Sequence, residues 1–191
     1  MRTLIIMGHP DKNSFSKKIA DEYERGALEK GSEVRRVNLI DLRFDPILRQ
    51  GYRVIQPLEP DLLEMQNLIK WCNQIVFVYP IWWSAPPAIL KGFLDRVLLP
   101  SFAFKYREDS DLWDKLLVGR RGRIIVTSDA PVWFLYLNYF HPAVNMMKKA
   151  VLEFCGISPV SVTSFGGIKN TDQKKREEIL YKVYRIGLDD N

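Results

Sequence analysis

The chain has 191 residues, 47% of them hydrophobic and 12% aromatic, and a formal net charge of +5. That length suits one domain with a full core, and no run approaches the roughly 18 to 20 apolar residues of a membrane span, which excludes a membrane-spanning helix. Two cysteines without Cys-x-x-Cys spacing and two histidines offer no zinc framework, and the basic residues are interspersed with acidic ones apart from Arg120-Arg121-Gly122-Arg123, so neither a metal nor a nucleic-acid partner is expected.

Thr3 to Met7 reads as a first strand; the run lacks the small-residue cleavage site of a signal peptide, which with the free cysteines predicts a cytoplasmic location. A polar loop from Gly8 to Ser16 leads into a helix from about Lys17 to Lys30, with Ser14 or Ser16 as its N-cap and Gly31 as its stop. Glu33 to Asn38 gives a second strand. The segment from Asp41 to Pro60 has turn residues and no period, and is expected to wrap the surface; Asp61 to Cys72 resumes as a helix. Ile75 to Tyr79 is a short β-branched and aromatic run suited to a strand buried on both faces.

Pro80 ends that run, and Trp82-Trp83-Ser84 follows in a loop stiffened by Pro86 and Pro87. A helix then runs from Pro87 to Leu98, with proline at a position where a helix has no N–H partner to lose. Ser101 to Arg121 is long for a connection and carries Phe102, Phe104, Tyr106 and Trp113. Arg123 to Ser128 is a fourth strand. A second aromatic loop covers Asp129 to Tyr136, a helix runs from Pro142 to Phe154, a fifth strand from Ser158 to Ser164, and a last helix from Thr171 to about Ile186.

Five strands alternating with helices mean an α/β protein with a parallel sheet. Right-handed crossovers and this length favour a doubly wound sheet of flavodoxin-like order 2-1-3-4-5, with helices on both faces and one domain over residues 1–191. Three loops then meet at the carboxyl edge of the sheet. The first opens a helix, whose free N–H groups and dipole suit a phosphate; the other two are aromatic. Neither Gly-x-Gly-x-x-Gly nor a Walker sequence is present, which argues against a Rossmann dehydrogenase and a nucleoside triphosphatase. A phosphate cradle beside aromatic walls suits a flavin nucleotide.

The run Tyr79-Pro80-Ile81-Trp82-Trp83-Ser84 followed by Pro87-Ala88-Ile89-Leu90-Lys91-Gly92-Phe93-Leu94-Asp95-Arg96-Val97 resembles the signature of the flavodoxin-fold NAD(P)H:quinone oxidoreductases. The loop from His9-Pro10 to Ser14-Phe15 and the tripeptide Phe154-Cys155-Gly156 extend the likeness over almost the whole chain. The resemblance implies an FAD, with FMN as the alternative, and NAD(P)H as co-substrate. It implies ping-pong, two-electron hydride transfer to quinones or related electrophilic aromatics by a homodimer. Pro80, Ile81, Trp82, Trp83 and Ser84 match the segment along the isoalloxazine edge; His9, Asn13, Ser14, Phe15 and Ser16 match the phosphate surroundings. Thr127 and Ser128 match a pair near the pyrimidine side, and Arg176 and Leu180 match positions near an adenine.

Where the family continues that pair with Gly-Gly, this chain has Asp129-Ala130-Pro131 and a shorter loop. The family's active-site tyrosine and histidine transfer to Tyr136 and His141. Structural alternatives accompany these assignments: His141 as a cap for the helix at Pro142, Arg176 on a solvated face, and Phe134, Tyr136, Tyr139 and Phe140 as a dimer surface. Two rival functions are a flavin-binding regulatory subunit of a transporter and a one-electron flavodoxin-type shuttle.

Overall fold

The computed structural model describes residues 1–190. Five parallel strands form its sheet: β1 (Arg2–Met7), β2 (Glu33–Asn38), β3 (Gln74–Pro80), β6 (Arg121–Thr127) and β7 (Val160–Phe165), in the order β2-β1-β3-β6-β7. Counting only these strands, this is the expected 2-1-3-4-5 arrangement. Every residue of β3 is buried, as a central strand covered on both faces requires.

The helices are α1 (Phe15–Glu29), α2 (Pro60–Trp71), α3 (Ala88–Val97), α4 (Val132–Tyr139), α5 (Pro142–Asn145) and α6 (Gln173–Asp189). Two apolar layers result. Leu4, Ile6, Phe77, Leu90, Phe93 and Ile124 belong to one, and Ile5, Met7, Ile19, Tyr23, Val76 and Ile125 to the other, so alternate residues of each strand serve opposite faces. On the second face α1 and α6 pack backbone to backbone. A Cβ on Gly26 would stand 2.2 Å from the Tyr184 carbonyl oxygen, and one on Gly187 would stand 2.3 Å from that of Tyr23.

Two stretches differ from the sequence reading. Residues 129–136, expected as a loop, include most of α4, whose eight residues VWFLYLNY are nearly all apolar and show no amphipathic period. The helix expected from Pro142 to Phe154 is α-helical over α5, continues as a π-helix over Met146–Glu153 and returns to α-helix at Phe154. There Met147 and Leu152 are buried five residues apart, a spacing that i→i+5 hydrogen bonding brings to one side. The long connection after α3 holds a small antiparallel hairpin, β4 (Phe104–Tyr106) with β5 (Trp113–Lys115), fastened by Trp113 stacked on Phe154 at 4.4 Å between ring centroids.

The period-free segment before α2 is tied down by one buried cation. Arg96 of α3 has no exposed surface; it pairs with Glu59 at 2.8 Å and donates to the carbonyls of Asp45 and Pro57. Burial alone would raise the Glu59 carboxyl, but the Asp45 N–H and Arg96 bonds prevail and hold it below its usual range. Among the described residues no helix is long and apolar enough to cross a membrane.

Candidate functional site

The neighbouring strands β1, β3 and β6 end at the same edge of the sheet, and the loops that leave them enclose a cleft of about 440 Å³. His9, Phe15 and Ser16 form one wall. Pro80 to Ser84 form the second, and Thr127 to Ala130 with Phe134, Leu135 and Tyr139 of α4 form the third. The volume falls within the range of small-molecule sites.

Most polar groups of the β1–α1 loop are already paired. The Asp11 N–H donates to His9 Nδ1 at 2.9 Å, the Asn13 N–H to Asp11 Oδ1 at 2.8 Å, and the Ser14 N–H to the Asp11 carbonyl at 3.3 Å. Ser14 is the N-cap of α1, its hydroxyl accepting from the Lys17 N–H at 3.3 Å. That leaves the N–H groups of Phe15 and Ser16 without acceptors among the described residues, at the positive end of a 15-residue helix. The Ser16 hydroxyl also makes no hydrogen bond there, though the residue is buried against the cleft. Burial lowers the pKa of His9, opposed by the Asp11 carboxylate.

In the β3–α3 loop the Ile81 N–H donates to the Thr127 carbonyl at 2.7 Å, binding two walls together. Trp82 and Ala85 exchange both backbone hydrogen bonds at 2.9 Å, which closes a two-residue turn over Trp83 and Ser84. Both central residues have positive φ, 51° and 57°, as a type I′ turn demands. Glycine, asparagine and aspartate dominate such turns; tryptophan and serine hold the geometry at a cost of about 1 kcal/mol or more each. Backbone strain of this kind clusters at ligand sites. Among the described residues the N–H groups of Trp83 and Ser84 have no acceptor, and the Trp83 indole is fully exposed.

Ten of the expected residues meet in this cleft: His9, Phe15, Ser16, Pro80, Ile81, Trp82, Trp83, Ser84, Thr127 and Ser128. Asn13 and Ser14 lie in the adjoining loop and do not line it. Arg176 and Leu180 sit one turn apart on α6, behind Phe15. The Arg176 guanidinium lies 5.4 Å from the Phe15 ring centroid and donates to Thr171 Oγ1, and Leu180 packs with the second apolar layer.

Tyr136 and His141 do not line the cleft. Because residues 132–139 coil into a helix, Tyr136 turns outward and is 63% exposed, while Tyr139, on the inner side, lines the cleft. His141 is buried between α4 and α5 in a left-handed conformation; its Nε2 lies 3.3 Å from Ser164 Oγ, and its buried Nδ1 has no partner among the described residues. Burial lowers its pKa. The sequence reading also missed Phe134, Leu135 and Ile168 as cleft residues, along with Asp129 and Ala130. Pro131, placed directly before α4, was the available helix signal.

A family model described as the flavodoxin-like fold matches residues 1–185. The chain belongs to the flavodoxin-like fold family. Within it, an NAD(P)H oxidoreductase of Haemophilus influenzae is 30% identical over 187 residues, covering 94% of this chain and 91% of that protein. The NAD(P)H:quinone oxidoreductase of Methanothermobacter marburgensis superposes with a TM-score of 0.84 at 25% identity, covering 99% and 98% of the two chains. An FMN-dependent NADH-azoreductase of Bacillus anthracis, solved in complex with FMN, superposes with a TM-score of 0.74, also at 25% identity, covering 97% of each chain.

Proposed function

We propose that this chain is a flavin-dependent NAD(P)H oxidoreductase that reduces quinones or related electrophilic aromatics. One observation carries the reading: the backbone donors without acceptors among the described residues, at the start of α1 and in the strained Trp83–Ser84 turn, belong to residues that line a single cleft with aromatic walls. That donor set fits a flavin nucleotide, which needs hydrogen-bond donors for its phosphate and a slot for its rings. A bound flavin supplies hydride acceptance and donation. The protein's own groups bind, orient and exclude water.

The Phe15 and Ser16 N–H groups and the Ser16 hydroxyl hold the phosphate, with the α1 dipole favouring its charge. The Trp83 and Ser84 N–H groups are the donors left for the ring system, since those of Ile81 and Trp82 are committed to Thr127 and Ala85. Trp82, Phe134 and Tyr139 narrow the cleft. NAD(P)H and the acceptor use this one mouth in turn, which gives ping-pong kinetics. Tyr139 takes the position assigned from sequence to Tyr136, with its hydroxyl available to an acceptor oxygen. We assign FAD in preference to FMN on the family resemblance at Arg176 and Leu180, of which Arg176 lies with its guanidinium 5.4 Å from the Phe15 ring centroid.

The outer face of α4 exposes Trp133, Tyr136, Leu137 and Phe140, each by 63% or more. An apolar patch of this size beside the cleft supports a homodimer. The buried free thiols Cys72 and Cys155, each raised to about 11 by burial, support a reducing, cytoplasmic setting. Anaerobic addition of NADH or NADPH should bleach the flavin bands of the purified protein, and a quinone should restore them. Flavin bands that neither nucleotide bleaches would remove the enzymatic reading.

A further inference from the structure

The cleft contains one side-chain contact that the proposed activity does not explain. Trp82 and His9, from two different loops, meet edge to face with ring centroids 5.3 Å apart and an interplanar angle of 77°. The same imidazole accepts the Asp11 N–H on Nδ1 at 2.9 Å. A nitrogen that accepts a backbone N–H must present a lone pair, so this bond exists only in the neutral ring protonated at Nε2. The bond sets the ring's in-plane direction, and the indole blocks its swing out of plane. The Trp82 main chain, from which the indole projects, is itself fixed by its double hydrogen bond with Ala85.

We propose that Trp82 is a positioning residue, which clamps His9 in its neutral form so that Nε2–H is a constant donor to the anionic group of the ligand. This rests on the flavin-nucleotide reading of the cleft. The clamp gives up the attraction of a charged imidazolium and in return removes titration from the phosphate end. Asp11 in the same loop and Asp129 on the third wall are the carboxylates near it, and α4 brings the Tyr139 hydroxyl. The cleft residues of α1 and the β3–α3 loop bring no ionisable side chain: Phe15, Ser16, Trp82, Trp83 and Ser84. Ligand charge is therefore met by backbone N–H groups, a hydroxyl and an imidazole that the Asp11 N–H bond holds in its neutral form.

The chain has only two histidines, so nitrogen-15 NMR of the ligand-free protein, assigned with His9→Asn, reads the His9 tautomer directly. FAD affinity between about pH 6 and 8, where the pyrophosphate does not titrate, gives the second readout in wild type, Trp82→Leu and Trp82→Phe. The expected result is a single Nε2-protonated tautomer and pH-independent FAD binding in wild type. Trp82→Leu should mix the tautomers, weaken FAD binding about three- to ten-fold at pH 8 and make it pH-dependent, and Trp82→Phe should restore both properties. An unchanged tautomer and affinity in Trp82→Leu would overturn the proposal, as would equal affinity losses in both variants with His9 unaltered. If the tautomer responds to Trp82 as expected but wild type takes up no flavin nucleotide, the clamp stands and the cofactor reading fails.

Discussion

The two edges of the central sheet handle their polar groups in opposite ways. At the amino edge the Asp190 carboxylate, at the end of α6, accepts from the Tyr23 hydroxyl at 2.6 Å, from Gln74 Nε2 at 2.9 Å and from both sides of the Arg123 guanidinium. These partners come from α1, β3 and β6, and the Arg123 and Asp190 side chains are almost buried. Burial first, and the Asp190 charge second, push the Tyr23 hydroxyl above its usual range. At the carboxyl edge, N–H groups stand unpaired, two residues carry strained backbone and a tryptophan is wholly exposed. One edge uses its polar groups to hold the chain together. The other leaves them open for something the chain does not contain.

Breaking the amino edge should give the largest effect. Arg123→Met leaves Asp190 buried without its cation, and urea unfolding should show a loss of about 3–5 kcal/mol, with flavin affinity per folded molecule unchanged. At the carboxyl edge the sign reverses: Ser84→Gly relieves a positive φ while keeping the N–H, so the ligand-free protein should gain about 1 kcal/mol with flavin still bound. Ser16→Ala removes one donor, and titration should show flavin affinity falling about five-fold with little change in stability.

A pH series sharpens the same contrast. The His9 and His141 pKa values are both lowered by burial, so the unfolded chain binds protons more readily than the folded one below about pH 6.5. Their contribution to stability is complete above that pH and is lost as pH falls through the folded-state values; His141→Asn should flatten part of the slope. The smallest expected effect on binding is that of Trp83→Phe. Flavin should remain bound, because backbone N–H groups make the contact, while the preference among quinones shifts.

The sheet and its order were legible because buried parallel strands are continuous apolar runs punctuated by Gly and Pro, as in Ile75 to Pro80. The β1–α1 and β3–α3 loops were legible as site material because each stands between a strand and a helix at a fixed edge. Which N–H groups they leave free was not, since that depends on long-range partners such as the Thr127 carbonyl for Ile81. The third wall was misread for a different reason. VWFLYLNY is apolar on all sides, so no period separates Tyr139, which faces inward, from Tyr136, which faces out. His141 was placed in the site by the family resemblance; its burial against Ser164 follows from two consecutive left-handed residues, Phe140 and His141, that no sequence rule predicts.

The central claim is that the open donors of the carboxyl edge take a flavin nucleotide. Backbone amide NMR during titration with FAD, and separately with FMN, tests it most directly. The account predicts large shifts at Phe15, Ser16, Trp83 and Ser84 and none at Tyr23, Gln74 or Arg123. Saturable flavin binding that leaves those four amides unmoved would contradict it.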